Sequence, residues 1–115
     1  DIRIRNAKAY NIKLKDNDNI GLPLSFNENF HVYHQYVIKV KHRDKLKDYL
    51  YKNNIQSGIY YPKPCHMQKP YRNFKVDNPV SEKLSNEVLA LPIAEHISEY
   101  DVNNICNVIN NFFKQ

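Results

Sequence analysis

Glycine is nearly missing from this chain: Gly21 and Gly58 are the only two in 115 residues. A loop that cradles phosphate groups needs several closely spaced glycines, so none of the glycine-rich nucleotide motifs can be built here. Cysteine is as scarce. Cys65 and Cys106 lie far apart in unlike contexts, which argues for reduced thiols over a disulfide framework. No apolar run approaches the roughly 18 to 20 residues that span a bilayer. The first residues, Asp1-Ile2-Arg3-Ile4-Arg5, also lack the apolar centre of a signal peptide. These absences lead to the expectation of a cytoplasmic protein without a membrane partner. The sequence has no Met at its start and opens within a helical pattern, which suggests a piece of something longer.

What is present is ordinary for a folded domain. A hydrophobic share of 42% with 12% aromatic residues excludes a disordered chain, and the length suits one domain with a modest core. The formal charge of +5 would suit a polyanion, but the lysines are scattered, as on a solvated surface.

From Arg3 to about Lys15 there is no Gly or Pro, and Ala7, Tyr10 and Leu14 recur at helical spacing. Asp16-Asn17-Asp18-Asn19 stops that helix, because these side chains compete for backbone hydrogen bonds. Ile20 to Pro23 reads as a short extended exit. His31 to Val40 is rich in β-branched and aromatic residues and reads as a strand, with Val32, His34, Tyr36, Ile38 and Val40 on its more apolar face. A second helix is expected over Arg43–Asn53, burying Leu46, Tyr49 and Leu50 and ending with Asn54 in a left-handed conformation. Ile55 and Ile59-Tyr60 suggest another short strand. That strand delivers the chain into Tyr60-Tyr61-Pro62-Lys63-Pro64-Cys65-His66-Met67-Gln68-Lys69-Pro70-Tyr71, a stiff, irregular loop of the kind on which binding sites are built.

Tyr71 to Asn78 reads as irregular. Pro79 opens a helix to about Asn86, Val88–Leu91 is a brief strand, and Ser98 with Asp101 resembles a capping box. Val102, Ile105, Cys106, Ile109, Phe112 and Phe113 mark the apolar face of a last helix, in which Cys106 is inert packing. The fold class is therefore α+β: a small, mostly antiparallel sheet of about three strands covered by helices.

Two kinds of chemistry fail on spacing. A zinc site would need His31 and His34, which sit on opposite faces of a strand, or the adjacent Cys65 and His66, which cannot easily ligate together. A Cys65 nucleophile activated by His66 lacks the geometry and a third orienting group. Nucleic-acid binding by a small basic α+β module, through exposed tyrosines, stays open as the alternative reading. For His34, a core histidine satisfied by a backbone carbonyl is the plain account.

The order of signals resembles the C-terminal domain of the DegT/DnrJ/StrS-type sugar aminotransferases, which depend on pyridoxal phosphate. The resemblance runs through Ala7-x-x-Tyr10-x-x-x-Leu14, Ile20-Gly21-Leu22-Pro23, His31-Val32-Tyr33-His34-Gln35-Tyr36-Val37-Ile38, Tyr61-Pro62-Lys63-Pro64-Cys65-His66-Met67-Gln68 and Glu87-Val88-Leu89-Ala90-Leu91-Pro92-Ile93. It departs from the family at Cys65, where leucine or proline is common, and at Asn54, where glycine is common.

The resemblance implies that residues 1–115 are the small domain of a fold-type I aminotransferase, beginning within the interdomain linker helix. The large domain with its Schiff-base lysine is absent, so the fragment alone should be inactive and bind no cofactor. The parent enzyme would be a cytoplasmic homodimer that moves an amino group from glutamate to a keto group of a nucleotide-linked sugar, in polysaccharide or metabolite biosynthesis. Its partners would be the large domain and the sugar, not nucleic acid. Carried over by position, the substrate-binding candidates are His34, then His66 and Tyr61, with no catalytic or metal residue. The resemblance favours a hydrogen-bonding role for His34 on the sugar or its diphosphate, since an imidazole titrates near neutrality and can donate in either state. It also expects the Tyr60–Tyr71 loop to wall the substrate side near His34.

Overall fold

The structure, a computed structural model, describes residues 1–26, 28–71, 73 and 76–114. Among them the elements run α1 (Ile2–Leu14), β1 (Ile20–Gly21), β2 (Tyr36–Val40), α2 (Arg43–Lys52), α3 (Pro79–Glu87), β3 (Val88–Leu91) and α4 (Glu99–Phe112). The three strands form one antiparallel sheet in the order β1-β2-β3. Ile20 pairs with Val40, and Tyr36 to Lys39 pair with Leu91 to Val88. This is the α+β class expected from the pattern.

Alternation along β2 puts Tyr36, Ile38 and Val40 on one face, and their cross-strand partners Leu91 and Leu89 continue it. That face joins Ala7, Tyr10 and Leu14 of α1, Leu46 and Leu50 of α2, and Val102, Ile105, Cys106 and Ile109 of α4 in a single core. Each fully buried Leu or Ile contributes about 1.5–3 kcal/mol relative to exposure. The helices are held to the sheet by polar ties as well. Tyr10 donates its hydroxyl to the Pro92 carbonyl at 2.8 Å, Asn6 Nδ2 donates to the Ile97 carbonyl at 2.8 Å, and Tyr36 donates to Asn11 Oδ1 at 2.6 Å.

The termini follow local chemistry. Ser98 caps α4: its hydroxyl accepts from the Asp101 amide, while the Asp101 carboxylate accepts from the Ser98 amide at 2.8 Å, completing the capping box. The Ser98 hydroxyl and amide both donate to the Asp101 carboxylate and hold it below the usual carboxylate range, with His96 adding to the effect and desolvation opposing it. Pro79 opens α3. Asn54 takes φ 59° just past α2, as its side chain allows.

Three expectations are corrected. The strand starts at Tyr36, not His31, because Tyr33 adopts φ 50°; this breaks the alternation, so Tyr33 is buried while Val32 and His34 are exposed. The third buried position of α2 belongs to Arg43, not Tyr49. The Arg43 guanidinium donates to the carbonyls of Ser85 (3.0 Å) and Val88 (3.2 Å), while half-buried Tyr49 packs against the Phe112 ring. Ile55 to Tyr60 forms no strand, only a two-bond bridge between Gly58 and Ala90. The irregular stretch from Tyr71 to Asn78 lies partly outside the described residues; inside the preceding loop, Cys65–Met67 and Lys69–Tyr71 form short 3₁₀ turns.

Candidate functional site

The bridge between Gly58 and Ala90 fixes where the aromatic loop begins. Gly58 N–H donates to the Ala90 carbonyl at 3.0 Å and Ala90 N–H returns the bond at 2.8 Å. The Tyr60 side chain then folds back over Gly58 so closely that a Cβ there would sit 2.5 Å from the ring. Any larger residue at 58 therefore displaces Tyr60. The next peptide, Tyr60-Tyr61, is cis, and the two rings meet edge-on with centroids 6.0 Å apart.

Tyr60 is the shared wall of two hollows. The larger, about 780 Å³, holds His34 and Arg3 with Gln56, Ser57, His96 and Asn104. The smaller, about 490 Å³, is lined by Tyr61, Lys63 and His66 on the loop side and by Asn78, Ser81 and Leu84 on the α3 side. The sequence-predicted residues thus divide: Tyr61 and His66 share one hollow and His34 lines the other. The expectation that the loop lies near His34 holds only through Tyr60.

His34 is presented by an irregular turn, not by a strand. Arg3 Nη1 donates to the backbone carbonyls of His34 (3.0 Å) and Tyr33 (3.5 Å), so a side chain from α1 holds the turn open. The buried neighbour Tyr33 stacks on His31 at 4.1 Å and leans on Tyr36 at 6.1 Å, which anchors the turn in the core. The His34 ring is left to solvent and the hollow, so the plain account of it as a buried core histidine is overturned.

Ser57 was not foreseen. Its hydroxyl is buried in the wall of the larger hollow and has no hydrogen-bond partner among the described residues. An unpaired buried hydroxyl is costly unless something satisfies it. No local sequence signal marks it.

His66 is mostly buried and its Nε2 lies 2.9 Å from Glu82 Oε1 on α3. Cys65 beside it is exposed. Among the described residues no group of three His, Cys, Asp or Glu could hold a metal ion. A Schiff-base lysine needs a desolvated amine, yet every described lysine is exposed except half-exposed Lys47. No described lysine has the desolvated setting that burial would give a Schiff-base amine. What the two hollows offer is imidazole, hydroxyl, amide and aromatic surface.

A small antiparallel sheet carrying helices, with two hollows that meet at Tyr60, defines a domain of α+β class. The profile of the DegT/DnrJ/EryC1/StrS aminotransferase family matches residues 1–110, and the chain belongs to that family. It is 35% identical over 111 residues to the dTDP-3-amino-3,6-dideoxy-alpha-D-galactopyranose transaminase of Aneurinibacillus thermoaerophilus, a match that takes in 96% of this chain and 31% of the relative. Among solved structures it resembles a DegT DnrJ EryC1 StrS aminotransferase from Brucella abortus at TM-score 0.89 and 38% identity, over 99% of this chain and 31% of that one. It also resembles NtdA from Bacillus subtilis, solved with bound cofactor PMP, at TM-score 0.86 and 25% identity, over 98% of this chain and 28% of that one. The chain spans about a third of the length of the relatives it matches. Family membership bears out the resemblance read from the sequence. No helix among the described residues is long and apolar enough to cross a membrane.

Proposed function

We propose that this chain is the C-terminal part of a pyridoxal-phosphate-dependent aminotransferase that transfers an amino group from glutamate to a keto group of a nucleotide-linked sugar. The observation that carries this reading is the 35% identity, over 96% of the chain, to a transaminase named for a dTDP-linked amino sugar. The cofactor and its lysine belong to the remaining two-thirds of the polypeptide, which supplies the chemistry of amino transfer. The parent protein is a cytoplasmic homodimer, and its product serves polysaccharide or metabolite biosynthesis. This chain supplies one wall of the substrate cleft. His34 hydrogen-bonds the sugar or its diphosphate from the larger hollow, and Tyr61 and His66 do so from the smaller.

The division of labour predicts an asymmetric defect. In the intact protein, His34→Ala should slow the half-reaction with the amino sugar about tenfold or more, the loss expected for one hydrogen bond to a charged or polar ligand, and leave the glutamate half-reaction within about twofold. Rapid-mixing absorbance of each half-reaction measures both. Equal losses in the two would remove His34 from the sugar side.

A further inference from the structure

His66, one of the proposed substrate contacts, is paired with a carboxylate on α3 that is not among them. His66 Nε2 and Glu82 Oε1 are 2.9 Å apart, with the His66 side chain 14% exposed and that of Glu82 46% exposed. Glu82 stands in the first turn of α3. Its place is firm: its amide donates to the Asn78 carbonyl at 3.1 Å, and its own carbonyl accepts from Ser85 Oγ at 2.8 Å and Asn86 Nδ2 at 3.0 Å. Other hydrogen bonds of the loop from Lys63 to Gln68 are local, running from Met67 to Pro64, from Gln68 to Cys65 and from the Gln68 side chain to Lys63. The imidazole is a point at which this part of the loop reaches another element, α3.

A pair with one partner this exposed contributes little to folding, so holding the loop down is a weak account of it. Orientation is the stronger one. An ionised carboxylate only accepts, so a neutral imidazole beside it keeps its proton on Nε2 and leaves the lone pair on Nδ1.

We propose that Glu82 is a positioning residue for His66: it fixes the ring with Nε2–H turned to α3 and so presents Nδ1 to the Tyr61 hollow as an acceptor for a ligand hydroxyl. This rests on the reading that the hollow takes a hydroxylated, nucleotide-linked sugar. Glu82 touches no ligand. It acts through the tautomer and the angle of the ring.

The test uses the intact protein, with dTDP-3-amino-3,6-dideoxy-alpha-D-galactopyranose, the amino sugar named for the relative, as the probe. Glu82→Ala should raise KM for the probe about tenfold with kcat and the glutamate half-reaction within about twofold, and Glu82→Gln, which retains an acceptor oxygen, should restore most of it. Long-range ¹H–¹⁵N spectra of histidine-labelled protein should show His66 protonated at Nε2 in the wild type and a mixture of tautomers in Glu82→Ala, a readout independent of turnover. His66 protonated at Nδ1 in the wild type would overturn the proposal. So would an unchanged KM in Glu82→Ala where His66→Ala raises it. An unchanged KM in His66→Ala would instead remove His66 from the substrate contacts, and the role of Glu82 with it.

Discussion

The chain carries tyrosine in two settings that behave in opposite ways. Tyr10 and Tyr36 are fully buried, their rings stacked 4.7 Å apart, and each hydroxyl has a partner, the Pro92 carbonyl and Asn11 Oδ1. Tyr60 and Tyr61 stand on the loop, 51% and 73% exposed, Tyr60 between the two hollows and Tyr61 in the smaller. The same side chain serves as a core block with a satisfied polar tip in one region and as an open wall in the other. What separates them is the backbone beneath. Helix α1 and strand β2 turn the first pair inward at regular spacing, whereas the proline-rich loop has no periodic face to bury. Stability should therefore sit in the first region and ligand contact in the second.

The widest gap in that comparison is reached by truncation. Tyr36→Ala removes a packed ring from the junction of α1 and β2 and should cost roughly 3–5 kcal/mol. Tyr61→Ala, at an exposed position, should stay within about 0.5 kcal/mol. Urea unfolding midpoints of the two variants measure the difference, and similar losses would show that the loop is part of the core after all.

A finer cut keeps the ring and removes only the polar tip. Tyr36→Phe leaves Asn11 Oδ1 without its donor, which should cost about 1 kcal/mol in the same unfolding experiment. A loss near that of Tyr36→Ala would mean that the hydroxyl, not the ring, holds α1 against the sheet.

The same contrast explains what could be read from the sequence. α1, α2, α4 and β3 were legible because their apolar spacing, the Ser98–Asp101 capping box and the Asn54 terminus are local signals. The turn at Tyr33 was not, since its left-handed backbone is held by Arg3, some thirty residues away. Burial of Arg43 likewise depends on carbonyls offered by Ser85 and Val88. At the site, His34, Tyr61 and His66 were named through the family resemblance, and in the structure they line the two hollows. Glu82 and Ser57 escaped, because one is defined by a partner sixteen residues off and the other by having none among the described residues. Distant pairing decides these features, and periodicity cannot express it.

The two cysteines repeat the core-and-loop contrast with no cost to folding. Cys65 is exposed on the loop, and Cys106 lies in the core beside the stacked tyrosines, where burial pushes its thiol up to about 12. Only the thiolate reacts, so at pH 8 a maleimide should modify Cys65 and spare Cys106, giving a single mass increment in the native protein and two after denaturation. The core acids also set a direction in alkali. Burial raises Cys106 and also the phenols of Tyr10 and Tyr36, so above about pH 9 the unfolded chain sheds protons that the folded chain retains. Stability should then fall as pH rises from 9 toward 12, and second labelling at Cys106 should track that unfolding. Labelling of Cys106 at pH 8 at a rate like that of Cys65 would show that the core around α4 opens as readily as the loop.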